Sequence, residues 1–173
     1  AISYIGAKSV FVDVDKDTMG MSPKSLKSYL NEFAEKKNGE TFSKVSGKRI
    51  KACVPMHTFG FPCRTKEIAK ICLDWGITLI EDTAESIGSF QDEVHTGLDG
   101  LMSAFSFNGN KTVTCGGGGV IITNCQNSAK LAKHLSTQAK KPHSWEFIHD
   151  QIGFNYRMPN LNAALACAQL EQL

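Results

Sequence analysis

The chain has 173 residues, of which 42% are hydrophobic and 21% charged, and its formal net charge is +2. This length and composition are typical of one globular domain with a substantial core, which excludes a disordered, collagen-like or coiled-coil chain. Because the net charge is small and no apolar run approaches the ~18–20 residues of a membrane span, we expect neither nucleic acid nor a membrane as a partner.

Strand and helix signals alternate from the beginning of the chain. We predict a strand over residues 9–14 and then a helix that begins at Ser22-Pro23, because serine is a favoured N-cap and proline fits the first helical position. Residues 34–49 are polar and rich in lysine and glycine, which indicates an exposed loop. The next strand is predicted over residues 50–56.

The middle of the chain continues this pattern. Four residues recur at the spacing of one buried helix face: Ile68, Ile71, Cys72 and Trp75. Gly76 fits the position that follows such a helix. Further elements are predicted as strands over residues 77–80, 103–107 and 120–123 and helices over residues 128–135 and 159–173. The alternation predicts an α/β fold with a mostly parallel sheet, helices on both faces and a ligand site at the carboxyl edge of the strands.

Six cysteines occur, without a CxxC pair and without His at metal-ligand spacing. We therefore predict buried, reduced thiols, no metal site and a cytoplasmic location. The chain begins with Ala1 rather than Met, and its last predicted helix has no stop signal. We expect residues 1–173 to be a fragment of a larger protein.

Two residues stand out as candidates for chemistry. Asp82 follows an apolar strand, and Lys111 follows another strand and precedes a run of four glycines. Each has an ordinary interpretation, since Asp82 is a suitable N-cap for residues 83–87 and Lys111 is a suitable surface charge. Together, a carboxylate and a lysine at neighbouring strand ends suit a pyridoxal phosphate site. There the lysine forms a Schiff base, and the carboxylate keeps the pyridine nitrogen protonated.

The amino-acid sequence around these residues resembles that of a known family. Residues 81–89 (EDTAESIGS) are similar to the E-D-x-A-[QE]-x-x-G-[AS] motif of the DegT/DnrJ/StrS-type sugar aminotransferases. Four further motifs follow the family pattern: HTFG at residues 57–60, FSFNGNK at 105–111, GGVIITN at 118–124 and GFNYRM at 153–158. The five motifs occur in the family order and cover nearly the whole chain.

The resemblance implies a three-layer, fold type I pyridoxal phosphate enzyme. In this interpretation the chain is part of the large domain and lacks the N-terminal phosphate-loop region and the C-terminal small domain. The resemblance also implies roles for five residues and makes a sixth, Glu85, a further candidate for cofactor binding. Lys111 bonds to the cofactor, Asp82 contacts its ring nitrogen, and Ala84 packs under its ring. Ser106 binds the cofactor phosphate, and Asn155 reaches the phosphate in the neighbouring subunit of a homodimer with shared sites.

Glu85 departs from the residue that many relatives carry. A glutamine at this position donates a hydrogen bond to the phenolic oxygen of the cofactor, which an ionised glutamate cannot do. The Glu85 side chain must therefore be protonated, turned away or bonded to another donor.

The resemblance implies transfer of an amino group from an amino acid, glutamate, to a keto-sugar nucleotide in polysaccharide or deoxyaminosugar biosynthesis. Three alternatives remain open. The first is a pyridoxal phosphate-dependent sugar dehydratase, which Lys111 argues against because that subgroup has His in its place. The second is a catalytically inactive protein of the same fold with a regulatory or binding role. The third is a plain nucleotide-binding α/β domain, which visible cofactor absorbance would distinguish from the others.

Overall fold

The computed structural model describes all residues from 1 to 173. Its α-helices are α1 (Pro23–Phe33), α2 (Thr65–Trp75), α3 (Gln126–Ser136) and α4 (Asn160–Leu170). Its strands are β1 (Ala34–Lys37), β2 (Glu40–Ser43), β3 (Ala52–Cys53), β4 (Thr78–Asp82), β5 (Phe90–Gln91), β6 (Val94–His95), β7 (Met102–Ser106) and β8 (Gly119–Ile122). Short 3-10 helices lie at Ile2–Ile5 and Thr58–Gly60. None of the helices has both the length and the apolar character that crossing a bilayer requires.

The central sheet contains four strands in the order β3-β4-β7-β8. β4 pairs in parallel with both β3 and β7, whereas β8 pairs antiparallel with β7. The sheet is therefore mixed, with its only antiparallel pair at the β8 edge. Because β4 and β7 run in the same direction, their carboxyl ends meet at one edge of the sheet.

The predicted helix boundaries are confirmed at both ends of the α1–α2 region. The Ser22 hydroxyl accepts a hydrogen bond from the Ser25 amide at 3.3 Å, and Pro23 begins α1. Gly76 ends α2 in the left-handed conformation, with φ of 62°. Glycine is needed there for a second reason, since a Cβ atom at Gly76 would lie 2.6 Å from the carbonyl oxygen of Gly39.

The main core lies between α1, α2 and the adjacent strands. Leu30 of α1, Ile68 and Cys72 of α2 and Leu79 of β4 are all buried in one apolar cluster. The helical spacing predicted around Ile68 is thus confirmed as a core face. A smaller cluster joins α4 to the segment after β7 and consists of Phe107, Val113, Cys115 and Ala166. Burial of these apolar side chains is the main force that holds the helices to the sheet.

The prediction of an exposed loop over residues 34–49 is wrong. Residues 34–43 form a β-hairpin, in which β1 pairs antiparallel with β2. Its turn is Asn38-Gly39, and both residues have positive φ, as a tight hairpin turn requires. The hairpin docks on the end of α2, because the buried Thr41 hydroxyl donates to the Trp75 carbonyl. The Asn-Gly pair is a strong hairpin signal that the charge-based interpretation overlooked.

Two strand predictions near the N-terminus also need correction. Residues 9–14 form no strand and make only one isolated bridge, between Val14 and Met21. A β-rich sequence forms a strand only where a partner strand can pair with it, and here the Phe11 side chain is 92% exposed. Within the strand predicted over residues 50–56, only β3 is a strand, and Met56 makes an isolated bridge with Asp82. The strand is interrupted because Pro55 has no amide hydrogen to donate.

The packing of α2 leads to a test of stability. Replacing Ile68, which is 0% exposed, with alanine should lower the free energy of unfolding by about 2–4 kcal/mol, because it leaves a cavity in the main core. Leu73→Ala is the matched control on the same helix, since Leu73 is 82% exposed, and its expected effect is below ~0.5 kcal/mol. Urea unfolding followed by circular dichroism measures both values. Equal losses would contradict the assignment of the buried face.

Candidate active site

The carboxyl ends of β4 and β7 bring Asp82 and Ser106 to one edge and one face of the sheet. Asp82 is in register with Ala104, and Ser106 follows two residues later, so its side chain points to the same side. Ala104 is exposed, which shows that this face is open near the strand ends. The position predicted for Asp82 at the carboxyl edge is confirmed.

Asp82 begins a turn rather than a helix. Its Oδ1 accepts a hydrogen bond from the Ala84 amide at 3.1 Å, and residues 83–87 form turns with no helix. The N-cap interpretation of Asp82 is therefore wrong. The second carboxylate oxygen, Oδ2, has no hydrogen-bond partner within the chain, so it is available to an outside donor. Ala84 is half-buried beside it and offers only a methyl group.

Lys111 lies in the segment that follows β7, and it is not an ordinary surface lysine. Its side chain is only 15% exposed, and its ammonium nitrogen lies 3.3 Å from Oε1 of Glu85. The ion pair of Lys111 is thus with Glu85 and not with Asp82. Ser106, at the end of the same strand, has its Oγ 3.3 Å from the Asn108 amide that donates to it.

Glu85 is bonded to two donors, which is one of the three states that the sequence left open. Its Oε2 accepts a hydrogen bond from the Phe59 amide at 2.8 Å, while Oε1 faces Lys111. The Phe59 amide and, after it, the Lys111 ammonium hold the pKa of the Glu85 carboxyl below its ordinary value of 4.5. At neutral pH the Glu85 side chain is therefore an anion that restrains the Lys111 amine.

Asn155 makes none of the contacts described for this group. It is exposed and lines a cavity of about 1030 Å³ together with Lys133 and Arg157, and Ala104 of β7 lines the same cavity. Lys111, Asp82 and Glu85 do not line that cavity. Of the six residues singled out from the sequence, five therefore belong to the segments at the ends of β4 and β7, and Asn155 does not.

Sequence reasoning missed a buried pair directly beside the site. The Glu81 carboxylate and the His57 imidazole are both fully buried, with Oε2 and Nε2 3.2 Å apart. Burial by itself would raise the pKa of Glu81, but the bonds from His57 and from the Gly100 and Gly97 amides lower it below its ordinary value. The signal was present in the sequence as an acidic residue inside an apolar strand.

The residues at the strand ends suit a cofactor with an aldehyde, a ring nitrogen and a phosphate. They offer an amine, a free carboxylate oxygen and a hydroxyl within one half-buried region of the sheet edge. A metal is less suited to this chain, since no group of three or more His, Cys, Asp or Glu side chains is placed to hold one. The donor set thus fits pyridoxal phosphate, with Lys111 as the group that would bond to the aldehyde.

The ion pair leads to a test by titration. Lys111→Met should raise the pKa of Glu85 toward 4.5, because the cation is removed while the Phe59 amide bond remains. Since this pKa is lowered in the folded state, the stabilisation from Glu85 is present above pH about 4.5 and is lost as the pH falls below it. Carbon-13 NMR of the side-chain carboxyl measures the pKa. An unchanged titration would show that Lys111 and Glu85 do not interact in solution.

Comparison with known proteins extends these observations. The DegT/DnrJ/EryC1/StrS aminotransferase family matches residues 1–173. The chain is 37% identical over 172 residues to GDP-perosamine synthase of Escherichia coli O157:H7, which covers 99% of this chain and 43% of the relative. It is 36% identical over 172 residues to EpsN of Bacillus subtilis strain 168, assigned as a pyridoxal phosphate-dependent aminotransferase, with coverage of 99% and 42%.

A solved structure gives the same answer for the fold. The crystal structure of a DegT DnrJ EryC1 StrS aminotransferase from Brucella abortus superimposes with a TM-score of 0.82 at 28% identity, over 98% of this chain and 43% of that one. The chain thus spans less than half the length of the relatives it matches. These findings confirm the predicted α/β fold class and the resemblance read from the five motifs. The chain belongs to the DegT/DnrJ/EryC1/StrS aminotransferase family.

Proposed function

We propose that this chain carries the cofactor-binding part of a pyridoxal phosphate-dependent aminotransferase. The amino donor is an amino acid, glutamate, and the acceptor is a keto-sugar nucleotide. Family membership and the 37% identity to a GDP-perosamine synthase support a sugar-nucleotide acceptor. The presence of lysine at position 111 disfavours the sugar dehydratase alternative.

One observation carries the proposal. The half-buried Lys111 amine lies beside the sheet edge at which Asp82 presents a carboxylate oxygen with no partner in the chain. If the Lys111–Glu85 ion pair served only as a surface contact, a second carboxylate with a free oxygen at the same sheet edge would have no use. A cofactor that bonds to an amine at one end and carries a basic ring nitrogen at the other would use both residues.

Each residue has a definite task in this mechanism. When bound, pyridoxal phosphate supplies an electron-withdrawing ring that stabilises negative charge at the reacting carbon of the substrate. Asp82 holds a proton on the ring nitrogen through its free oxygen. Ser106 donates its hydroxyl to the phosphate, and Ala84 leaves space for the flat ring. Lys111 first holds the cofactor and then, as a free amine, removes the proton from the α-carbon of the amino donor.

Lys111 can neither bond to the cofactor nor remove a proton from the amino donor while it is an ammonium ion paired with Glu85. An ammonium has no free electron pair with which to attack an aldehyde or to accept a proton. Binding of the cofactor therefore requires that Lys111 lose a proton and leave Glu85. The Glu85 carboxylate remains bonded to the Phe59 amide, 2.8 Å away, and because its pKa is held below 4.5 it stays an anion, so the proton of Lys111 leaves to solvent.

The organisation of the whole enzyme is part of the same proposal. Residues 1–173 form part of the large, cofactor-binding domain, and the enzyme is a homodimer with shared sites. The exposed position of Asn155, in a cavity that Lys111 does not line, supports a role in the site of a neighbouring subunit. The six cysteines are all free thiols, which supports a reducing, cytoplasmic setting.

The role of Lys111 can be tested directly in the full-length protein. After incubation with pyridoxal phosphate and reduction with borohydride, mass spectrometry should find the cofactor on Lys111. Lys111→Ala should lose this adduct and at least ~100-fold in amino transfer, because the amine is both the attachment point and the proton carrier. Lys66→Ala is the control, since Lys66 pairs with Asp92 on the surface, and it should retain both. Full turnover by Lys111→Ala would refute the proposal, and an adduct without amino transfer to any keto-sugar would favour the inactive binding protein.

The role of Asp82 has a different signature. Asp82→Asn should still form the borohydride-reduced adduct on Lys111, because the amine is unchanged. Amino transfer should fall about 100-fold or more, because a neutral amide does not hold the ring nitrogen protonated. Adduct yield and turnover measured on the same sample separate the two effects. Undiminished turnover would remove Asp82 from the mechanism.

A further inference from the structure

The fully buried carboxylate of Glu81 has no role in the mechanism above, although it lies next to Asp82 in the chain. Four donors surround it. His57 and the Gly97 amide donate to Oε2 at 3.2 and 2.9 Å, and the Asp99 and Gly100 amides donate to Oε1 at 2.9 and 2.7 Å. Such complete satisfaction of a buried anion holds its partners in place, because loss of any one donor weakens the compensation of a charge that water does not reach.

His57 is fixed from both sides of its ring. Its Nδ1 accepts a hydrogen bond from the Cys63 amide at 3.2 Å, so the ring proton resides on Nε2 and is donated to Glu81. Its own amide donates to the Asp82 carbonyl at 3.1 Å. The imidazole therefore closes the turn between residues 57 and 63. Its bond to Glu81 and the bond of the His57 amide connect that turn to the end of β4.

This turn carries the amide that holds Glu85. Phe59 has a left-handed backbone with φ of 53°, which a residue with a large side chain adopts only where its surroundings enforce it. In that conformation its amide reaches Oε2 of Glu85. Gly60 packs against the same segment so closely that a Cβ atom would lie 2.9 Å from the Glu85 carbonyl oxygen.

We propose that His57, held by Glu81, is a positioning residue for Lys111. It acts through the Thr58–Gly60 turn and the Glu85 carboxylate, which together fix where the Lys111 amine lies before the cofactor arrives. The consequence for catalysis rests on the proposed function, but the geometry itself does not, so it can be tested without cofactor.

The test measures the reactivity of Lys111 in the cofactor-free, full-length protein. Trace acetylation with acetic anhydride, followed by mass spectrometry, gives the labelling of Lys111 relative to Lys66 in the same molecule. His57→Ala should raise this ratio about threefold, because Lys111 is no longer held by a fixed carboxylate. Glu85→Gln should raise it by the same amount. His57→Gln should restore the ratio, because a glutamine amide has both a donor for Glu81 and an acceptor for the Cys63 amide.

The outcomes separate positioning from simple packing. An unchanged ratio in His57→Ala, with a raised ratio in Glu85→Gln, would overturn the proposal and leave His57 a packing residue. An unchanged ratio in both variants would overturn it as well, since the ion pair would then be absent. Because no cofactor is used, failure here differs from failure of the proposed function, which appears as a missing borohydride adduct in the wild-type protein.

A second measurement needs no variant and applies even if His57→Ala does not fold. Amide hydrogen exchange of the wild-type protein, followed by NMR, reports on the Phe59 amide. Although the Phe59 side chain is 78% exposed, its amide should exchange at least ~100-fold more slowly than in an unstructured peptide, because it is bonded within a fixed turn. Exchange at the unstructured rate would overturn the proposal.

Discussion

The Glu81 carboxylate lies in the interior with 0% exposure, and much of the surrounding structure is arranged to compensate its charge. An unpaired charge at such a site would destabilise the fold by about 3–5 kcal/mol. The compensating donors come from the turn that follows β3 and from the loop that precedes β7. Satisfying this one group therefore connects three segments that lie far apart in the sequence, and two of them, β4 and the turn after β3, contribute Asp82 and the Phe59 amide to the candidate active site.

The alternation of a β-strand explains how two consecutive acidic residues acquire different tasks. Leu79 and Glu81 point from β4 toward the buried side, whereas Ile80 and Asp82 point toward the open side. Both oxygens of the Glu81 carboxylate therefore accept structural hydrogen bonds, while the Asp82 carboxylate keeps a free oxygen at the sheet edge. A shift of one residue in the register of β4 would exchange these roles and bury the group that the proposed chemistry needs.

The site combines a rigid frame with a charge arrangement that must change in the proposed mechanism. The frame is formed by parallel pairing of β4 with β7 and by the main core beneath them. The Lys111–Glu85 ion pair lies on top of this frame, and it is partly exposed, so it contributes little to stability. A weak pair on a rigid support suits the proposed function, in which the lysine is held at first and then released to a cofactor.

The sequence alone determined the helices, the positions of β4 and β7 and the family. Helix caps such as Ser22 and Gly76 act through neighbouring residues, and the five motifs are contiguous, so both can be recognised locally. Only the tertiary structure decided that residues 9–14 lack a partner strand and that the Glu85 carboxylate faces Lys111. The same holds for the pairing of Glu81 with His57. These contacts join residues 24 or more positions apart, and their formation depends on packing and on hydrogen-bond partners that no local pattern specifies.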